Sequence, residues 1–217
     1  MEIMEIKSRI RAVCEKTGRD PASVTLVAVS KFQPPEKIRL LLDQGQRVFG
    51  ENRVQEASEK FPSLREEYKD IELHFIGRLQ TNKTREAVRI FDVIETVDSL
   101  RLAKEINHEM DRQKRSLSCF LQVNTGGEGQ KGGVSPEDLG ALFRFCREQT
   151  ALRVEGLMCI PPVHEIPDLH FALLHKLAGE LSLKKLSMGM SADFDAAIRY
   201  GATHVRIGSA LFGVPEG

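Results

Sequence analysis

Hydrophobic positions along this chain fall into two kinds of segment that alternate from end to end. One kind is a short, near-continuous apolar run: TLVAVSK (25–31), RVFGE (47–51), ELHFIG (72–77), VIETV (93–97), SCFLQVN (118–124), RVEGLMCI (153–160), KKLSMG (184–189) and HVRIG (204–208). A strand covered on both faces reads this way because neither face needs polar side chains, so the runs predict eight buried parallel strands. The other kind spaces its apolar residues at helical period, with polar residues between them.

The helical segments carry their own start and stop signals. Ile3, Ile6, Ile10 and Val13 define an opening helix that ends near Gly18. After the first run, Pro34-Pro35 opens a helix with Ile38, Leu41 and Leu42 on one face, and Gly45 closes it. Ser135 reads as an N-cap with Pro136 at the first helical position, followed by a stripe of Leu139, Leu142, Phe143 and Cys146. Ser191 precedes ADFDAAIRYG, where Phe194, Ala197 and Ile198 face inward before Gly201. No Pro/Gly/Ser linker interrupts the series, so residues 1–217 read as a single domain. Eight β/α units behind a leading helix predict an α/β fold, a single (β/α)8 TIM-type barrel with an extra N-terminal helix. An open doubly wound sheet shares the alternation. The barrel is preferred because eight strands is the closing number and no GxGxxG follows the first strand.

Composition narrows the function. Lys+Arg and Asp+Glu both number 31, a net charge of zero, which argues against a nucleic-acid binder. No apolar run approaches the ~18 residues of a membrane span, and MEIMEIKSRI lacks the apolar core of a signal peptide, so neither membrane nor secretion is expected. Cys14, Cys119, Cys146 and Cys159 are dispersed, without a Cys-x-x-Cys pair, which points to a reducing cytoplasm and away from structural zinc.

In a barrel, chemistry collects where the strands end. Those ends supply Lys31, Asn52, Gly77, Asn124, Pro161, the segment 187–191, and Arg206 with Gly208 and Ser209. Lys31 closes an apolar strand and reads either as a lysine leaving for solvent or as an amine that forms a Schiff base with an aldehyde. SMGMS (187–191) and RIGSALFG (206–213) fall on the loops after strands seven and eight, where barrels commonly bind phosphate. Ser191 would bring a hydroxyl, and Gly208 and Ser209 would add amides. A lysine and a phosphate cup on one rim call for a phosphorylated aldehyde or ketone. His74, inside an apolar strand, reads as a packed core histidine. NTGGEGQKGG (124–133) lacks the G-K-[ST] ending of a P-loop and reads as a flexible rim loop. Glu51 is expected to pair with Arg53 or a neighbour.

Taken together, AVSKFQP around Lys31, FGENRVQE (49–56), HFIGRLQTNK (74–83), NTGGEGQKGG, VEGLMCIP (154–161) and SMGMSADFDAAIRYGATHVRIGSALFG (187–213) resemble the pyridoxal phosphate homeostasis protein family. That family is a single-domain relative of the alanine racemase N-terminal barrel, and the resemblance covers nearly the whole chain. It implies pyridoxal 5′-phosphate carried as a Schiff base on Lys31. It also implies phosphate ligands at Ser191, Gly208 and Ser209, Arg206 facing the pyridine nitrogen, and Asn52 and Met188 as cofactor neighbours. Phe32 stands where threonine often follows the lysine, and the segment after Ile160-Pro161-Pro162 is short.

Whether such a protein is a carrier or an enzyme turns on its acids and bases. A pyridoxal phosphate enzyme uses the protonated ring as an electron sink, and an arginine beside the ring nitrogen cannot accept that proton, although the racemases, the resemblance implies, place an arginine there too. Racemisation needs an acid/base on each face, and Lys31 supplies one. In the racemases, the resemblance implies, the second is a tyrosine from a further C-terminal domain. This sequence stops at Gly217, and its tyrosines, Tyr68 and Tyr200, lie away from the strand ends. The expectation is a monomeric protein that buffers pyridoxal phosphate and delivers it to pyridoxal-phosphate-dependent apoenzymes. A weak amino-acid racemase is the alternative. A Schiff-base aldolase would explain the lysine and the phosphate cup but not the family motifs.

Overall fold

The computed structural model describes residues 2–129 and 132–213. Eight strands are present where the apolar runs place them: β1 (Thr25–Val29), β2 (Val48–Glu51), β3 (Glu72–Phe75), β4 (Val93–Val97), β5 (Ser118–Gln122), β6 (Arg153–Met158), β7 (Lys185–Ser187) and β8 (His204–Ile207). They form a closed barrel in sequence order. Closure comes from parallel pairing of β1 with β8, with Thr25 opposite His204 and Ala28 opposite Ile207. Around it run α1 (Ile3–Lys16), α2 (Pro35–Asp43), α3 (Val54–Glu67), α4 (Thr84–Ile90), α5 (Leu100–Gln113), α6 (Leu139–Gln149), α7 (Pro167–Glu180), α8 (Phe194–Arg199) and α9 (Ser209–Phe212). None of the described helices is long and apolar enough to cross a membrane.

Each strand divides its residues between two cores. Leu73, Phe75, Ile94, Leu121, Leu186, Val205 and Ile207 join the layer between barrel and helices. The alternate positions point inward, where Val93, Phe120 and Met158 form a small apolar cluster. Polar residues share that interior: His74, Glu95, Ser187, His204 and Arg206 are all buried. The outer layer supplies most of the stability, since each fully buried Phe or Leu contributes roughly 1.5–3 kcal/mol. Phe75 and Phe91 meet edge to face there at 5.0 Å.

Three local expectations change. In α1 the buried residues are Ile3, Ile6, Ile10 and Cys14. Cys14, four residues after Ile10, stacks on that face and turns Val13 to its edge. The helix packs on α8, with Arg9 paired to Asp195 at 2.7 Å. Second, Ser135 accepts the Asp138 amide at 3.1 Å as a cap would, yet 136–138 form a turn and α6 begins at Leu139. Third, α8 is capped at Asp193, leaving the Ser191 hydroxyl for another partner.

Two glycines hold the rim in shape. A Cβ at Gly77 would lie 2.1 Å from Asn52 O, so only glycine lets the chain leaving β3 pass that carbonyl. Gly189 has φ +91°, and its Cβ would lie 2.5 Å from Ala197 Cβ. It turns the chain from β7 toward α8. The 124–133 stretch is a rim excursion whose base is pinned, with Val134 N bonded to Gln122 O at 2.8 Å and Asn124 N to Val134 O at 2.9 Å. Gln130 and Lys131 lie outside the described residues.

Candidate functional site

The strands open at their C-terminal ends into a cavity of about 770 Å³. Lys31, Asn52, Ser191, Arg206, Gly208 and Ser209 all line it, so six expected site residues share one space. Met188 does not: it is fully buried in the outer core. Ser187 points into the barrel, so its successor faces the helices, and Met190 reaches the cavity instead after the Gly189 turn. Arg78 and Gln122 also line the cavity and were not anticipated as site residues. Gln122 follows Ser118 and Phe120 on one strand face, a period-two signal that places it at the rim.

The first strand ends at Val29, and Ser30 to Phe32 form a turn that carries Lys31 out over the cavity. The side chain of Lys31 has no hydrogen bond or ion pair among the described residues. Across the rim, the Ser191 hydroxyl accepts the Ala210 amide at 3.4 Å, which ties the α8 loop to α9 and leaves its own proton free to donate. The Ser209 amide opens α9, where the first N–H groups have no acceptor within the helix. Asn52 Oδ1 is buried without a hydrogen-bond partner among the described residues.

Arg206 reaches the cavity from the barrel interior and is held at both ends of its fork. Nη1 donates to Ser187 Oγ at 2.7 Å and Nη2 to Cys159 O at 2.9 Å. Ser187 donates in turn to Glu95 Oε2 at 2.5 Å, and Glu95 Oε1 meets His74 Nδ1 at 2.6 Å. His74 Nε2 meets Glu72 at 2.7 Å. His74 is therefore buried as expected, but as part of a charged chain. Burial pushes its proton affinity down, yet the hydrogen bonds it makes to both carboxylates outweigh this and hold its pKa at about 9. Burial would raise Glu95, but His74 and Arg206 hold it down at about 2. His204, packed against Phe120, is driven down to about 4 by burial. Arginine and carboxylate thus balance inside the barrel beneath the cavity.

Glu51 pairs with Lys60 rather than with Arg53, at 3.2 Å, and accepts from Ser30 Oγ at 2.7 Å. Burial still raises its pKa to about 6 against those two donors. Arg53 instead lies over the Phe32 ring at 5.3 Å. Tyr68 donates to Asp43 at 2.5 Å and Tyr200 ends α8; neither lines the cavity.

A closed eight-stranded barrel with a rim lysine facing a hydroxyl-and-amide cup defines a class, and comparison with known proteins agrees with it. The family described as Alanine racemase, N-terminal domain, matches residues 3–216. The chain belongs to that family, and within it to the pyridoxal phosphate homeostasis proteins. It is 42% identical to the pyridoxal phosphate homeostasis protein of Aquifex aeolicus, over 97% of this chain and 96% of that protein. The corresponding protein of Pseudomonas aeruginosa is 44% identical over 99% and 94%. Among solved structures, PipY of Synechococcus elongatus with PLP bound superposes with a TM-score of 0.83 at 37% identity, covering 94% of this chain and all of that one. Alanine racemase of Clostridium difficile 630 shares the fold, at TM-score 0.73 and 15% identity, over 97% of this chain and 56% of that one.

Proposed function

We propose that the rim cavity binds pyridoxal 5′-phosphate, held by Lys31 as a Schiff base, and that the protein buffers this cofactor in the cytoplasm and delivers it to apoenzymes. One observation carries the reading: an amine without a partner among the described residues and a hydroxyl-and-amide cup share a single cavity. The PLP-bound relative and the names of the curated relatives support it. The orphaned Asn52 Oδ1, on the cavity wall, fits a ligand with its own hydrogen-bond donor.

When bound, pyridoxal phosphate supplies an aldehyde carbon and a ring that accepts electron density. Lys31 would supply the amine that joins that carbon, with water as the leaving group. Ser191 and the amides at Gly208 and Ser209 donate to the phosphate oxygens. Arg206, fixed by Ser187 and the Cys159 carbonyl, presents only donors to the ring nitrogen and gives no carboxylate support to a protonated ring. These residues retain the cofactor without equipping it for turnover. Titrating the protein with pyridoxal phosphate tests the reading. A Schiff-base absorption band that borohydride abolishes is expected for the parent protein and lost in Lys31→Ala at unchanged melting temperature. A band that persists in Lys31→Ala would refute it.

A further inference from the structure

The cluster beneath Lys31 has more bonds than docking α3 onto β2 requires. Lys60 is buried, and its ammonium meets three acceptors: Glu51 Oε1 at 3.2 Å, Glu56 Oε1 at 2.5 Å and the backbone carbonyl of Ser30 at 2.9 Å. The same Glu56 oxygen accepts the backbone amide of Phe32 at 2.5 Å. The residues immediately before and after Lys31 are therefore fastened by their main chain to one ammonium and its carboxylate. Ser30 N is tied to Gly50 O at 3.0 Å, and Ser30 Oγ to Glu51 at 2.7 Å, so the clamp also reaches β2.

The turn needs such a clamp. Phe32 has φ +61°, a left-handed conformation that a side-chain-bearing residue holds only when its surroundings over-determine it. Its ring is half-exposed and stacked under Arg53, which adds one contact but no restraint on the backbone. Two lysines thus divide the work. Lys60 is saturated with acceptors and does not line the cavity; Lys31 lines it with an unengaged amine. An ion pair that served only to seat α3 would have no need of the Ser30 carbonyl or the Phe32 amide.

We infer that Lys60 and Glu56 are positioning residues that hold the Ser30–Phe32 turn so that the Lys31 amine meets the aldehyde of its ligand. The inference rests on the functional reading above and adds a specificity: the clamp matters for an aldehyde and not for the phosphate. Near-attack placement of an amine is worth binding energy only where a bond forms.

Glu56→Ala removes both carboxylate bonds from a partly exposed position, and Glu56→Gln keeps an acceptor for the Phe32 amide. Two measurements decide. In the cofactor-free protein, hydrogen exchange of the Phe32 amide should speed up in Glu56→Ala, recover in Glu56→Gln, and leave β2 amides unchanged. With ligand, Glu56→Ala should weaken pyridoxal 5′-phosphate about tenfold while pyridoxine 5′-phosphate, which lacks the aldehyde, shifts less than about twofold. Lys60→Met should show the same split if it folds. Unchanged Phe32 exchange, or equal weakening of both ligands, overturns the inference and marks the cluster as structural. Absence of a borohydride-reducible adduct in the parent protein is a different failure: it overturns the functional reading, and the assignment of the clamp to aldehyde capture with it.

Discussion

Arg206 Nη1 lies 2.7 Å from Ser187 Oγ, and through that one hydroxyl the guanidinium at the cavity wall is joined to the buried Glu95 carboxylate. The contact fixes the arginine's orientation and supplies its counter-charge at one remove. A direct Arg206–Glu95 pair would turn the fork toward the barrel axis; the intervening serine leaves it facing the cavity.

Ser187→Ala should therefore do two things. It strips a donor from Glu95 and an acceptor from Arg206, both buried, which costs about 1–3 kcal/mol in unfolding free energy measured with urea. It also frees the guanidinium, so pyridoxal phosphate affinity should fall. Loss of stability alone, with affinity and spectrum unchanged, would mean that Arg206 needs no such anchor.

The buried chain makes stability depend on pH in a defined window. His74 is held at about 9 in the fold against 6.5 for the free side chain. Its stabilisation is complete below pH 6.5 and is lost as pH rises through 9. The loss amounts to a few kcal/mol, at about 1.4 kcal/mol per tenfold change in proton affinity. On the acid side, Glu95 is held at about 2 and His204 at about 4. The Glu95 contribution is present above 4.5 and goes as pH falls through 2, and the His204 contribution is present above 6.5 and goes as pH falls through 4. Unfolding free energy recorded from pH 6.5 to 9 should fall, and His74→Gln should flatten that limb. An unchanged alkaline slope in the variant would place the charge elsewhere.

The phosphate cup should discriminate sharply. Charge-assisted hydrogen bonds contribute roughly 1.5–3 kcal/mol each, so two or three donors separate pyridoxal phosphate from pyridoxal by about 10³-fold or more. Ser191→Ala should weaken pyridoxal phosphate about tenfold, because the amides at Gly208 and Ser209 remain. Equal affinity for the two ligands in the parent protein would remove the cup from the account.

Much of this site was legible because a barrel gathers strand ends. Lys31, Asn52, Ser191 and the 206–209 segment come from separate parts of the chain, yet each lies at or near the end of an apolar run, and closure of the barrel brings them to one cavity. The strands themselves were legible because their alternate faces are both covered. Met188, which the resemblance set beside the cofactor, does not line the cavity, because the pleat turns Ser187 inward and its neighbour outward. The interior chain from His74 to Arg206 was hidden for a related reason. Its members sit in separate apolar runs, and only closure shows that they touch. Lys60 carried no signal at all, because its role depends on how α3 crosses β2.

Catalysis should be slow. Incubation of the pyridoxal-phosphate-loaded protein with L-alanine in deuterated water should give at most α-hydrogen exchange without inversion. Lys31 serves one face, and neither tyrosine lines the cavity to serve the other. A positioned general acid or base contributes about 10²–10⁴-fold, so its lack is kinetically severe. Inversion at about one turnover per second or faster, the ordinary enzyme range, would contradict this. Tyr68 and Tyr200 would then be the first residues to replace.

On the proposed function, one amine, that of Lys31, holds the cofactor. Borohydride reduction of the loaded protein, followed by peptide mass mapping, tests it most directly. A reduced pyridoxyl-phosphate adduct is expected on the peptide containing Lys31, near one per chain, and none in Lys31→Ala. An adduct found mainly on another lysine would contradict it, whether on the saturated Lys60 or on Lys131, which lies outside the described residues.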